Sequence, residues 1–326
     1  MYQVAVVLPV FNSSPFLKEC LDSVFNQTYS NFVIYAVDDG STDNSLEILR
    51  DYESKDSRVK IITQSNQGVS VARNAALQAL AKQSELFQYV VFLDSDDKLE
   101  KNCFARCASE IGSADILVYD FISFDDQTQK PTRNSVVSKE VLNHAQFCDR
   151  YFHLNRWSKN NSSDFFLCNK FFTYPVLKDV FFDASLKRAE DQDLMIRLLP
   201  RVKEAVLLPD QLYFYRVRQD SLTRTKNYDD FSDEFSVYRK YLSQTDFSAS
   251  MRQGIQTRFL QKLWSNLQSI FRSELPVEQK FLLYKKYISD SALTFEFPLS
   301  KKERRRLMLL RLGFKINLLL ANLKKR

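Results

Sequence analysis

The sequence predicts an α/β fold, a mostly parallel sheet flanked by helices, followed by an all-helical C-terminal region. Three observations predict it. Over the first 124 residues, short apolar runs alternate with longer stretches of helical spacing. Strands separated by helices of this length are βαβ units, which build parallel sheets covered on both faces. Beyond about residue 228 only helical patterns remain.

The elements follow in order. Residues 3–8 are an apolar strand, and 15–25 carry Phe16, Leu17, Cys20, Leu21 and Val24 at helical spacing. A strand at 32–37 leads to a helix at 45–52, with Thr42 and Asp43 as candidate caps. Residues 59–63 form a strand, 69–80 an alanine-rich helix, 89–93 a strand, 102–111 a helix and 116–124 a strand. The pattern loosens over 125–164, where one helix is expected near 141–152. Regular structure resumes at Phe165, with a helix over 192–199 and an alternating aromatic strand over 212–217. A boundary near Asn227 separates a domain of residues 1–227, with halves 1–124 and 125–227, from helices at 231–241, 251–269 and 277–288 within 228–326.

Composition excludes several function classes. The 326 residues contain five glycines and two histidines, His144 and His153. No G-x-G-x-x-G or Walker A loop is present, and histidine chemistry has little to work with. The five cysteines are an odd number without a C-x-x-C pair, which reads as free, mostly buried thiols in a reducing compartment. The chain enters a strand pattern at once, and no apolar run approaches ~18 residues, so a cytoplasmic location is expected. The net charge of +6 is uneven: residues 301–326 hold ten Lys/Arg against Glu303 alone, leaving the first 300 residues at about −3.

In sheets of this kind ligands bind beyond the carboxyl ends of the strands. The residues there are 9–12, 38–43, 64–68 and 94–97. Phe92-Leu93-Asp94-Ser95-Asp96-Asp97 ends a strand in three carboxylates, which suits a hard cation shared with a substrate's phosphates, or an acidic turn capping the next helix. Val37-Asp38-Asp39-Gly40 places two acids at a strand end, where one could accept a hydrogen bond from a nucleobase N–H. Arg73 sits in the first turns of a helix, against the helix dipole. It meets an anion or a carboxylate cluster there, or lies on the surface. Glu190-Asp191 opens an amphipathic helix, as capping acids or as a general base. Arg216 and Arg218 alternate onto one face, with Ser221 and Thr223 beyond, a set suited to a diphosphate.

In this order the motifs resemble the GT-A glycosyltransferases of family 2. The carriers are Val7-Leu8-Pro9-Val10-Phe11-Asn12, Val37 to Asp43, Asn66-Gln67-Gly68 with Ala72-Arg73-Asn74, Phe92 to Asp97, Glu190-Asp191, and Tyr215-Arg216-Val217-Arg218 with Ser221 and Thr223. The resemblance spans about residues 3–223 and implies a single inverting displacement from a nucleotide-diphosphate sugar, most often UDP-linked, with Mn²⁺ or Mg²⁺. It implies Asp191 as catalytic base supported by Glu190, and Asp96 with Asp94 as metal ligands. Pro9, Phe11, Asn12, Asp38, Asp39, Gly68, Arg73, Asp94 and Ser95 would line the nucleotide pocket, with Arg218 and Ser221 at the diphosphate. Lys170 falls in a segment on the acceptor side. The acceptor would be a glycan, a lipid-linked glycan or a protein.

Residues 300–326 pair the basic run with Leu307, Met308, Leu309, Leu310 and further leucines, interrupted by Arg311 and Lys315. Such a segment lies in an anionic membrane interface, or docks on its own protein or in a homodimer. Without interleaved aromatic platforms, nucleic acid is not expected as a partner.

Overall fold

The computed structural model describes residues 3–83, 87–124, 129–131, 138–152, 166–218, 231–242, 244–289, 298, 301–311, 313 and 317. The first strand, β1 (Val4–Val10), is buried at every position because helices cover both its faces. On one face Val4, Val6, Leu8 and Val10 meet Leu17, Cys20, Leu21 and Val24 of α1 (Ser14–Phe25). β2 (Phe32–Asp39) is equally buried and leads through α2 (Ser45–Lys55) to β3 (Val59–Gln64). The other face of β1 and β2 is covered by α3 (Val69–Ala81), whose buried Ala72 and Ala76 permit close approach to the sheet. β4 (Tyr89–Phe92), a two-residue β5 (Lys98–Leu99), α4 (Cys103–Glu110) and β6 (Ile116–Phe124) complete this run.

Next come β7 (Gln129–Pro131), β8 (Glu140–Asn143), α5 (His144–Phe152), β9 (Lys170–Thr173), α6 (Tyr174–Leu177), α7 (Glu190–Leu198) and β10 (Glu204–Arg216). Among the described residues ten strands form one sheet in the order β3-β2-β1-β4-β9-β6-β10-β5, with β7 on β6 and β8 on β10. The run β3-β2-β1-β4 is parallel as expected. β9 enters antiparallel between β4 and β6, so the sheet as a whole is mixed.

Two expected elements differ in their bounds, and β5, β7, β9 and α6 have no counterpart in the sequence reading. The helix expected near 141–152 starts at His144, because Asn143 and Gln146 form a capping box. Asn143 N donates to Gln146 Oε1 and Gln146 N to Asn143 Oδ1, both at 3.0 Å. Residues 140–143 instead pair with β10. β10 begins eight residues earlier than the aromatic alternation suggests. Pro209 masks its first half, and the ladder absorbs the proline as register shifts between Leu207 and Tyr213.

The chain divides into two compact units, Met1–Phe147 with Trp157–Thr225, and Cys148–Arg156 with Lys226–Arg326. The boundary expected near Asn227 lies outside the described residues, and part of the expected 125–227 half groups with the second unit. That unit contains α8 (Phe231–Leu242), α9 (Ala249–Arg272), α10 (Val277–Ser289) and α11 (Lys301–Arg311). The long α9 buries Met251, Ile255, Phe259, Leu263, Leu267 and Ile270 along one stripe. Leu307 and Leu310 of α11 are buried and Tyr284 Oη donates to Leu310 O at 2.9 Å, so α11 docks on its own unit. Lys301, Lys302, Arg304 and Arg305 remain exposed. All five cysteines are free and buried. Among the described residues, no helix is long and apolar enough to cross a membrane.

Candidate active site

The parallel strands deliver their carboxyl ends side by side. Pro9 and Val10 pair with Val37 and Asp38, and Asp39 pairs with Gln64. Asp39 is buried and fully engaged. Its Oδ1 accepts from Gln64 Nε2 (2.7 Å) and Gln67 N (2.9 Å), and its Oδ2 accepts from Gly68 N (2.8 Å). One carboxylate thus shapes the turn into α3. Gly68 is required there by its φ of 91°. At Gly40, also left-handed, a Cβ would come within 2.7 Å of Asn66 N, so this turn needs glycine for space as well. Asp38 is also buried, and its Oδ1 has no hydrogen-bond partner.

Phe11, beyond β1, is 46% exposed although aromatic. Asn12 adopts a left-handed φ of 47°, which asparagine tolerates, and its Oδ1 accepts from Thr42 N at 2.8 Å. Thr42 is therefore tied to Asn12 rather than capping α2. Asp43 serves two helix starts, accepting from Ser45 N (3.0 Å) and Ser14 N (2.9 Å). Burial would raise its pKa, but these donors outweigh it and hold the carboxyl down at about 2. Ser95 is buried with its Oγ 2.6 Å from Ser13 Oγ, tying the acidic strand end to the start of α1.

Arg73 joins the two acidic clusters. Its guanidinium is buried; Nη2 donates to Asp94 Oδ1 at 2.9 Å, and Nη1 donates to Asp191 Oδ1 at 3.0 Å and Glu190 Oε1 at 3.3 Å. Burial disfavours its charge, but the three carboxylates outweigh that and raise its pKa. The Phe182 ring lies 5.3 Å from the guanidinium, held there by paired bonds between Asn74 and the Phe182 backbone. The sequence reading of a helix-start arginine meeting a carboxylate cluster describes this geometry.

One cation for three acids leaves the site short of positive charge. Asp191 is pushed up to about 7, first by burial, then by the neighbouring Glu190 and Asp94 charges against the opposing Arg73. Asp96 is raised by burial and by Asp94, with Arg218 opposing. Asp97 is raised well above the usual range by burial and by Asp94 and Asp96. It is spent internally, accepting from Tyr213 Oη and Arg216 N, both at 2.6 Å. Asp94 and Asp96 thus remain as the cluster's candidate ligands. Among the described residues no three His, Cys, Asp or Glu side chains converge as a metal cage. An oxygen-only pair still fits Mg²⁺ or Mn²⁺, whose coordination is completed by substrate phosphates and water.

The two arginines share a face, both lying over the Phe16 ring, at 4.8 Å and 4.9 Å. They do different work. Arg216 is buried, with Nε donating to Asp96 O at 2.7 Å and Nη2 bonded to Glu19. Arg218 reaches Asp96 Oδ2 at 3.3 Å and is partly exposed. Ser221 and Thr223 lie outside the described residues. Lys170 is completely buried, with its Nζ bonded to Phe166 O and to Asn169 Oδ1 (2.9 Å), so it stands behind the site rather than in it. Sequence reasoning missed Phe182 and Leu167, whose N–H donates to Asp191 Oδ2 at 3.4 Å. Neither belongs to a polar motif, so no local signal marked them; Tyr213 opens the aromatic run before Arg216 and Arg218, but its bond to Asp97 is not legible there.

The family model described as Glycosyl transferase family 2 matches residues 5–181, and the chain belongs to this family. Among curated relatives, a protein named uncharacterized glycosyltransferase EpsJ of Bacillus subtilis is 31% identical over 68% of this chain and 62% of its own length. The minor teichoic acid biosynthesis protein GgaA of the same organism is 27% identical over 67% of this chain and 48% of its own length. The chain therefore matches only about half to two thirds of the length of these relatives. The crystal structure of Staphylococcus aureus TarS 1-349 in complex with UDP-GlcNAc superposes with a TM-score of 0.71 at 21% identity, covering 97% of this chain and 88% of that one. The fold is thus that of the GT-A transferases, with a helical C-terminal region.

Proposed function

We propose that the chain transfers a sugar from a nucleoside diphosphate, a UDP-sugar first, to an acceptor hydroxyl with inversion. The observation that carries this is the Arg73 bridge, which sets the Asp94 end of β4 and the Asp191 start of α7 within one guanidinium of each other. A group that binds diphosphate and a group that accepts a proton are then neighbours, as in-line displacement requires. Asp191, with a pKa near 7, is matched to a proton acceptor working at neutral pH. It takes the acceptor proton as the hydroxyl oxygen bonds to the anomeric carbon. The bond from that carbon to the diphosphate breaks, and UDP leaves. Glu190 keeps Arg73 engaged beside it.

Asp96 and Asp94 would hold Mn²⁺ or Mg²⁺, which neutralises diphosphate charge when bound. Arg218 stands beside Asp96 to meet the same phosphates. Exposed Phe11, with Pro9 and Asn12, faces a base at the β1 end. Asp38, whose Oδ1 is unpartnered, gives that pocket its acceptor, Asp39 sets the 64–68 turn, and Ser95 fixes the strand end. The name of the GgaA relative and the UDP-GlcNAc in the TarS complex support a UDP donor and an acceptor in surface glycan or glycoconjugate assembly. The exposed Lys/Arg of α11 suit the anionic inner face of a membrane. Deleting 301–326 should abolish binding to anionic vesicles while sparing UDP-sugar hydrolysis; unchanged vesicle binding would remove that assignment. The reaction is tested by a panel of UDP- and GDP-sugars with Mn²⁺, scored for nucleotide release and thermal shift. Turnover or a shift with at least one donor is expected, and neither with any donor would contradict the reading.

A further inference from the structure

Lys170, which the family resemblance places on the acceptor side, is 0% exposed. Burying an ammonium is costly, so plain packing does not account for a lysine here. Its Nζ donates to Phe166 O and to Asn169 Oδ1. Phe166 O and Leu167 N belong to the same peptide group, and Leu167 N donates to Asp191 Oδ2 at 3.4 Å. A peptide group is planar, so gripping its carbonyl sets the direction of its N–H. A cation on the carbonyl also polarises the group toward its N–H end, which strengthens the bond to a carboxylate.

The rest of the turn is immobilised from β6. Tyr119 N donates to Asn169 O (3.1 Å), Asn169 Nδ2 to Tyr119 O (2.9 Å), and Tyr119 Oη to Cys168 O (2.9 Å). Asp191 is thus held by two donors from different directions, Arg73 on Oδ1 and the turn on Oδ2. We infer that Lys170 is a positioning residue for Asp191, acting through the Phe166–Leu167 peptide group to present the carboxylate to the acceptor in one orientation. This rests on Asp191 being the base.

The test compares Lys170→Met, Lys170→Gln, Asp191→Asn and the Lys170→Met/Asp191→Asn double variant, using the sugar nucleotide that the donor panel identifies. Lys170→Met should lower kcat about 10- to 100-fold and Lys170→Gln, which keeps a donor without the charge, by less. The donor KM and the calorimetric affinity for UDP with Mn²⁺ should stay within about twofold, and Lys170→Met should add no loss to Asp191→Asn. Wild-type kcat in both Lys170 variants would overturn the inference. So would weakened UDP binding, further loss in the double variant, or failure of both Lys170 variants to fold, since each marks a structural role. If Lys170→Met alone fails to fold, Lys170→Gln and its double with Asp191→Asn carry the same comparison. Wild-type kcat in Asp191→Asn would instead remove the base assignment, whatever the Lys170 variants do.

Discussion

The two ends of the candidate site are built on opposite ratios of charge to partner. At the β2 end, one carboxylate, Asp39, takes three donors from Gln64, Gln67 and Gly68. At the β4–α7 end, one guanidinium, Arg73, serves three carboxylates, Asp94, Glu190 and Asp191. Asp39 is satisfied within the protein and supplies shape. At the second end, which is short of positive charge, burial first, and then the neighbouring carboxylates, raise the pKa of Asp191, Asp96 and Asp97 and leave room for a proton or a cation. Functional sites commonly concentrate such perturbed groups.

The contrast can be broken from either side. Asp191→Asn should cost about 10²–10⁴ in transfer while leaving UDP binding with Mn²⁺ nearly intact, read by turnover and calorimetry. Binding lost together with turnover would show that Asp191 belongs to the donor site. Arg73→Lys keeps the charge but cannot reach three carboxylates in a planar fork, so kcat should fall about 10-fold or more and thermal stability should drop. An unaffected variant would mean that the bridge is incidental. Asp39→Asn presents an amide where the Asp39 carboxylate accepts three bonds, so one donor of the 64–68 turn loses its charged acceptor. A loss of about 1–3 kcal/mol is expected, measured by denaturant titration, with weaker UDP binding.

The smallest effect is a pH slope. Between the ordinary 3.8 and about 7, folded Asp191 keeps a proton that the unfolded chain releases. Its contribution to stability therefore declines as pH rises through that window. Wild-type Tm should fall more than that of Asp191→Asn between pH 5 and pH 8. Over the same range kcat/KM should rise toward a plateau above about 7 as the base loses its proton. Parallel Tm profiles in the two proteins would show that Asp191 titrates normally.

Much of this was legible because the first 124 residues are a repetition of local signals. The βαβ pattern placed Asp38, Asp94 and Arg73 at strand ends and a helix start before any contact was known. The helix-dipole argument directed Arg73 toward carboxylates. What escaped was non-local. Nothing local to Arg216 distinguishes it from Arg218, yet Glu19 and the Asp96 carbonyl, 197 and 120 residues away, turn one inward. Lys170 reads as a polar acceptor contact until β6 and β9 close around it. β8 was hidden by a helix pattern whose true start is set by the Asn143–Gln146 box, and the first half of β10 by Pro209.

We propose that the acidic end of β4 holds a sugar nucleotide's diphosphate through a metal. This is tested most directly by titrating UDP into wild type and Asp96→Ala by calorimetry, each with Mn²⁺ and with EDTA. Wild type should bind UDP with Mn²⁺ and lose that binding in EDTA, and Asp96→Ala should bind at least about 10-fold more weakly with Mn²⁺. Equal affinity in all four titrations would mean that Asp96 and a metal take no part in holding UDP.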